Sequence, residues 1–319
     1  MRRGRTFLVG LLVLSLTAGM CCGCADKTAK ETANSQEVDE SLDGENAEIV
    51  GHNEDENANL GAWGRAMGSV LISINDGNPY YFGGYEQTDA NAEAAASILK
   101  QSWGISDRQG LLEQIDNLLT TGSRKEYLQE AKDMKKLSKT QLKKAMKQLS
   151  GSILIHYQMT RYNWDKWGKK GLLAWDMCRI SHLVQWGYIA GYVDVDEAQA
   201  LMEPAAKKLQ KQFTSWEEVI TNWLDGYALA CTIDMNEPGN DYESRLSVYE
   251  TLVSEQSTKG VLYDDTLFTQ EIVPLQQISY TTILDEVRMK ADTGKKDSKK
   301  NSIKESSEKK ASDDGKEEE

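Results

Sequence analysis

Gly171-Leu-Leu-Ala-Trp-Asp-Met-Cys-Arg-Ile-Ser-His-Leu-Val-Gln-Trp-Gly-Tyr-Ile-Ala-Gly-Tyr192 reads as a helix that other helices must enclose. At helical spacing Leu173, Met177, Ile180 and Val184 share one face, as the 3.6-residue period requires. Trp175, Arg179, His182 and Trp186 form a narrow stripe on a second side, and Ala174, Cys178, Ser181 and Gln185 offer a third where another backbone can approach. A helix so poor in charge on every side belongs in the middle of a domain. Its charges, Asp176 and Arg179 at i, i+3, must then be paired, because an isolated buried charge is very costly.

Working outward, the rest of the chain supplies the enclosing helices. All eight Trp lie between Trp63 and Trp223, and only 4 of the 319 residues are Pro, which favours helices over a loop-rich β architecture. Leu60, Trp63, Met67, Val70 or Leu71, and Ile74 mark a first helix, and Asn75-Asp-Gly-Asn-Pro79 marks a turn. Asp89 can cap an Ala-rich helix that Gly104 ends. Four segments read as capping boxes: Ser106 to Gln109, Ser123 to Glu126, Ser138 to Gln141 and Ser215 to Glu218. In such a box the first and fourth side chains satisfy free amides at a helix start. Asp194 caps a further helix, and Asp241 to Glu255 gives one more. Val261-Leu-Tyr and Leu267-Phe-Thr suggest a small hairpin near the end. The expectation is an all-α domain over 58–290 built round the buried central helix.

The ends have a different character. Met1-Arg-Arg-Gly-Arg5 followed by the apolar Phe7 to Thr17 is an export signal, too short for a membrane span. It runs into Met20-Cys-Cys-Gly-Cys24, which resembles a bacterial lipoprotein signal. On that resemblance a cysteine is lipidated and becomes the first mature residue. Cys24, preceded by Gly23, fits best, with Cys22 and Cys21 the poorer choices. The division is then a signal peptide over 1–23, an acidic disordered tether over 24–57 and a charged disordered tail over 291–319. The partners implied are a lipid bilayer on the extracytoplasmic face and an envelope protein or small ligand. The net charge of −13 argues against nucleic acid, which needs a clustered basic surface. The Lys-rich run from Lys132 to Lys147 reads as a solvated helix face.

The middle of the chain carries a second resemblance. Trp103-Gly-Ile-Ser-Asp107, Gly122, Ala174-Trp-Asp-Met-Cys-Arg179, Trp186-Gly-Tyr188, Glu197-Ala198 and Ser215-Trp216-Glu-Glu218 are similar, in order and spacing, to the bacterial domain-of-unknown-function family 1266. The similarity covers about 61–230, and the part after Asp234 falls outside it. It implies a mostly helical domain in which Trp103, Trp175, Asp176, Arg179, Trp186, Ser215, Trp216 and Glu218 are structural. It implies no activity, substrate or cofactor.

Candidate chemistry is sparse. Asp176 could orient His182 as a general base while Arg179 holds an anion, the arrangement of an envelope hydrolase. The alternative is an Asp176–Arg179 ion pair tying helices together, with His182 hydrogen-bonded between Trp rings; no nucleophile motif stands near, which favours it. Tyr162, Trp164 and Trp167 could form an aromatic platform for a ligand or fold onto the core. The scattered His52, His156 and His182 lack metal-ligand spacing, and no phosphate loop or other cofactor motif occurs. Cys178 and Cys231 could pair, but both sit in helical apolar patterns that suit buried free cysteine. A non-catalytic binding domain is the leading reading, with a hydrolase or a purely structural domain as alternatives.

Overall fold

Leu60, Trp63, Met67, Val70 and Leu71 are buried along one face of the first helix, α1 (Ala58–Ile74), as their spacing predicts. The computed structural model describes residues 58–259 and 261–289, and every regular element among them is helical. After the turn at Asn75 to Gly77 come α2 (Asp89–Trp103), α3 (Arg108–Thr120), α4 (Arg124–Lys135), α5 (Lys139–Met146) and α6 (Gly151–Trp167). A 3-10 turn (Gly168–Lys170) leads into α7 (Leu173–Ile189), the central helix, then α8 (Val195–Gln212), α9 (Trp216–Ala230), α10 (Asp241–Lys259), α11 (Asp265–Thr269) and α12 (280–289). Residues 1–57 and 290–319, where the signal, the tether and the tail are expected, lie outside the described residues.

Every residue of α7 is buried, and α1, α2, α3, α8 and α9 pack round it. The small side of α7 does bring a backbone close. Ser181 Oγ and Gln185 Nε2 both donate to the Gly64 carbonyl of α1, at 2.7 and 3.1 Å. Gln185 Oε1 accepts from Gly83 N at 3.0 Å, so one amide side chain ties α7 to α1 and to the loop after it. Gly187 meets Leu111 of α3, and Gly191 ends the helix with φ +75°. Cys178 is a buried free thiol and is not joined to Cys231.

The helix starts differ in detail from the capping pattern. Ser138 and Gln141 form a full capping box, and Asp194 forms one with Glu197. At α9, Ser215 Oγ accepts from Glu218 N, while Glu218 accepts from Thr214 N instead of completing the box. The caps of α2 and α3 are Thr88 and Asp107, each one residue from Asp89 and Ser106; the neighbour in extended backbone is the one whose oxygen can turn back onto the first amides. Ser123 makes no side-chain cap at α4 at all.

The hairpin expected near the end is a helical turn. Asp264 accepts from Thr266 N and starts α11, whose Phe268 packs against Trp63 and Trp216 with ring centroids 5.3 Å away in each case. Leu262 and Tyr263 are both buried, which breaks the alternation a half-buried strand needs. Helix α12 is clamped to α3 by paired guanidinium–carboxylate contacts. Arg108 grips Glu286 at 2.8 and 3.1 Å and Glu197 at 2.6 and 2.7 Å, and Arg288 grips Asp116 at 2.7 and 3.0 Å.

Gln185→Leu keeps the volume of the side chain but strands the Gly83 N–H, and is expected to destabilise the fold by roughly 1–3 kcal/mol in urea titration. An unchanged midpoint would remove Gln185 from its tying role.

Candidate functional site

Asp176, the single carboxylate of the central helix, is fully buried, and its main partners come from another part of the chain. Its oxygens accept from Ser123 N at 3.0 Å, Arg124 N at 3.1 Å and Arg124 Nη1 at 2.8 Å. Arg179, one turn away, reaches only 3.8 Å, so the main partner is Arg124 rather than the intrahelical Arg179 that spacing suggested. The first amides of α4 point at this carboxylate, which caps the helix across the core in place of the Ser123 side chain, whose Oγ accepts from Arg179 Nη1 at 3.3 Å instead. Gly122 has φ +54°, and a Cβ there would land on the carboxylate. Arg124 Nη2 also donates to the Leu118 carbonyl at 2.8 Å, joining the end of α3 to the start of α4. Burial pushes the Asp176 carboxyl above its ordinary range, and Arg124, Arg179 and the two amides oppose that push.

The other two members of the constellation are equally enclosed. The Arg179 guanidinium lies between the rings of Trp103 and Trp175, 4.5 and 5.0 Å from their centroids, a cation–π sandwich. His182 packs against Trp rings, tilted on one and edge-on to the other, rather than being hydrogen-bonded as expected. Its ring lies 6.2 Å from each of Trp186 and Trp223, and neither nitrogen meets a hydrogen-bond partner among the described residues. Burial, with Arg179 nearby, pulls its pKa down to about 3. Asp176 and Arg179 are therefore brought together with Arg124 and with Trp103. No hydrogen bond joins His182 to Asp176, so the orienting contact of an acid–base pair is missing.

The aromatic triplet of α6 divides. Trp167 turns inward and donates to Asp225 Oδ2 at 2.6 Å, where Lys166 Nζ also arrives at 2.7 Å. Tyr162 and Trp164 instead line an open groove of about 1160 Å³ between α4, α5 and α6. The groove follows from local packing. Helix α5 is eight residues long and buries only Ala145, so Leu142 and Met146 stay half-exposed and face the space beside α6. Lys135 sits over the Trp164 ring at 4.3 Å, and Lys139, Lys143 and Lys147 line the outer edge. Segment 124–170 carries 13 Lys or Arg against 4 Asp or Glu, a local +9 in a chain of −13. The Lys run is solvated, as expected, but it also borders this concavity.

Sequence reasoning missed Arg124, Asp225 and Asn222. Asn222 Oδ1 accepts from Ala174 N at 2.8 Å and so caps α7 from α9. An available signal was the polar pair Asn222 and Asp225 within the apolar Val219 to Leu229, to which the rule applied to Asp176, that buried polar groups are partnered, extends directly.

Asp176→Asn is expected to cost about 3 kcal/mol, since breaking a buried pair strands a charge. The double variant Asp176→Asn/Arg124→Met should cost less than the sum of the two single losses; additive losses would deny the pairing. His182 gives a pH dependence of known sign. Its folded pKa of about 3 lies below the unfolded value of roughly 6.5, so the unfolded chain binds the extra proton. The stability is complete above that unfolded value and is lost as the pH falls towards the folded one. The loss between about pH 7.5 and about pH 5 is roughly 2 kcal/mol, and His182→Leu should remove it. Equal slopes in the two proteins would show that His182 is not the source.

Comparison with known proteins brings no assigned activity. No curated protein and no solved structure matches the chain significantly. The model of a family described as proteins of unknown function, DUF1266, matches residues 98–261. That span starts within α2, so α1 lies outside it, and it runs on through α10, beyond the end suggested by the motifs. It contains Gly122, Arg124, Asp176, Arg179, His182, Asp225 and the whole groove. Covering half of the 319 residues, the match settles kinship: the chain belongs to the DUF1266 family of proteins of unknown function.

Proposed function

We propose that this protein is a lipid-anchored, extracytoplasmic domain that binds a protein or small ligand of the cell envelope and does no covalent chemistry. The observation that carries the binding reading is the α4–α5–α6 groove, open to solvent, apolar within and edged by lysines. Ligand sites combine an apolar floor with a few polar groups at the edge, and Tyr162 and Trp164 belong to such a floor and wall. The contrast with Asp176 and His182 supports the same choice. Both are shut inside the core, where a hydrolase would need them to reach a substrate.

The anchoring reading rests on the N-terminal sequence, Gly23-Cys24 after an apolar run. Among the described residues no helix is long and apolar enough to cross a membrane. A diacylated cysteine supplies the two chains that stable anchoring needs.

One experiment tests both halves. A photo-crosslinking residue replaces Tyr162 in the full-length protein and in its Cys24→Ala variant, and membrane and soluble fractions are analysed by mass. The expected outcome is a lipid mass and membrane-bound adducts in the first protein, with both lost in the second. Lipid on neither protein would remove the anchor, and adducts from neither would remove the groove as a binding surface.

A further inference from the structure

The groove's rim makes a demand of its own. Lys139, Lys143 and Lys147 stand four residues apart along α5 and its C-terminal cap, are exposed, and form no ion pair among the described residues. Like charges at i, i+4 on a helix repel, and here they do so on the short helix that buries only Ala145. Each step of four residues advances about 6 Å, so the row presents three positive charges at the pitch of another helix. The opposite wall runs through Leu154, Gln158, Arg161 and Asp165 of α6, positions that span about 16 Å along one face. The floor includes Met134 and Met146, whose flexible side chains adapt to differing apolar knobs.

We infer that the groove takes an acidic amphipathic helix of a partner protein, its apolar stripe on the methionine and Trp164 floor and its carboxylates along Lys139, Lys143 and Lys147. This rests on reading the groove as the binding surface. Shape and charge together choose this occupant. A small anion would use the lysines and leave the apolar floor empty. A flat anionic bilayer would meet the rim and not reach into the recess. An apolar stripe at i, i+3, i+4 and i+7 between acidic flanks fills both. The net −13 of the chain repels such a partner elsewhere, so the local +9 also sets where it lands.

The test uses the full-length protein and a fluorescent synthetic peptide of about five helical turns, with Leu on one stripe and Glu on its flanks. A twin carries Lys for every Glu, and vesicles of neutral or anionic lipid form a further arm. The acidic peptide is expected to bind, its affinity falling with salt and dropping about tenfold in the Lys139→Glu/Lys143→Glu/Lys147→Glu protein. The Lys twin is expected to bind that triple variant better than it binds the original protein. Circular dichroism checks that the variant, changed only at exposed positions, keeps its helices. Binding undiminished in the variant, or no binding of the acidic peptide, overturns the proposal. If anionic vesicles alone bind and lose binding in the variant, the occupant is wrong and the groove remains a binding surface. If neither probe distinguishes the two proteins, the groove reading falls as well.

Discussion

A carboxylate with no access to water must be met by donors from the protein, and Asp176 meets this condition with the start of another helix. Two α4 amides and the Arg124 guanidinium converge on it, so the position of α4 is set by the chemistry of α7. The corner that delivers α4 there is equally constrained. Gly122 takes a left-handed conformation that leaves room for the carboxylate, and Arg124 holds the last carbonyls of α3. Lys208 of α8 adds a contact to Leu119 O at 3.2 Å. The negative end of α3 thus faces cations and the positive end of α4 faces an anion, the arrangement helix dipoles favour. Asn222 performs the matching service for α7, whose first amides also open inside the core.

The same accounting explains what could be read from the sequence alone. The burial of α7 on all sides follows from a run that is apolar or small almost throughout, and local periodicity carries that information. The turn at Asn75 and the caps at Ser138, Asp194 and Ser215 are local too. Thr88 and Asp107 lie one residue from the expected caps because adjacent polar residues compete for the same amides, and backbone geometry decides between them. The partner of Asp176 lies over fifty residues away in sequence. The demand for a partner was legible, but its identity depended on which helix end the fold delivers. His182 shows the opposite limit, since its packing against the Trp186 and Trp223 rings replaces the hydrogen bond its chemistry suggested. For the groove, Tyr162 and Trp164 were recognisable as aromatics in a polar segment. That Trp167 turns inward instead depends on Asp225, between two and three turns into α9 and invisible to local pattern.

Charge is spent unevenly across the molecule. Around α7 every ionic group has an enclosed role, with Asp176, Arg124 and Arg179 consumed by one another, by amides or by aromatic faces. Along α3, α8 and α12, Arg108 holds Glu197 and Glu286 while Arg288 holds Asp116 in close ion pairs. On the α4–α6 side Lys139, Lys143 and Lys147 form no ion pair among the described residues, and Leu142 and Met146 beneath them are only half covered. Stability has been concentrated in one part of the fold, and recognition has room in the other. This division is the physical basis of the proposed binding role.

Helix α5 gives that division a dynamic side. With Ala145 as its only buried residue, its release from the body of the protein exposes little apolar surface, and local opening free energies scale with what is exposed. The segment joining α4 to α6 can therefore fluctuate on its own while α7 and its neighbours stay closed. The width of the groove becomes an equilibrium property instead of a fixed dimension. Any occupant that bridges α5 to α6 must supply the ordering entropy of this one short helix, which makes its affinity depend on helix propensity in residues it never touches.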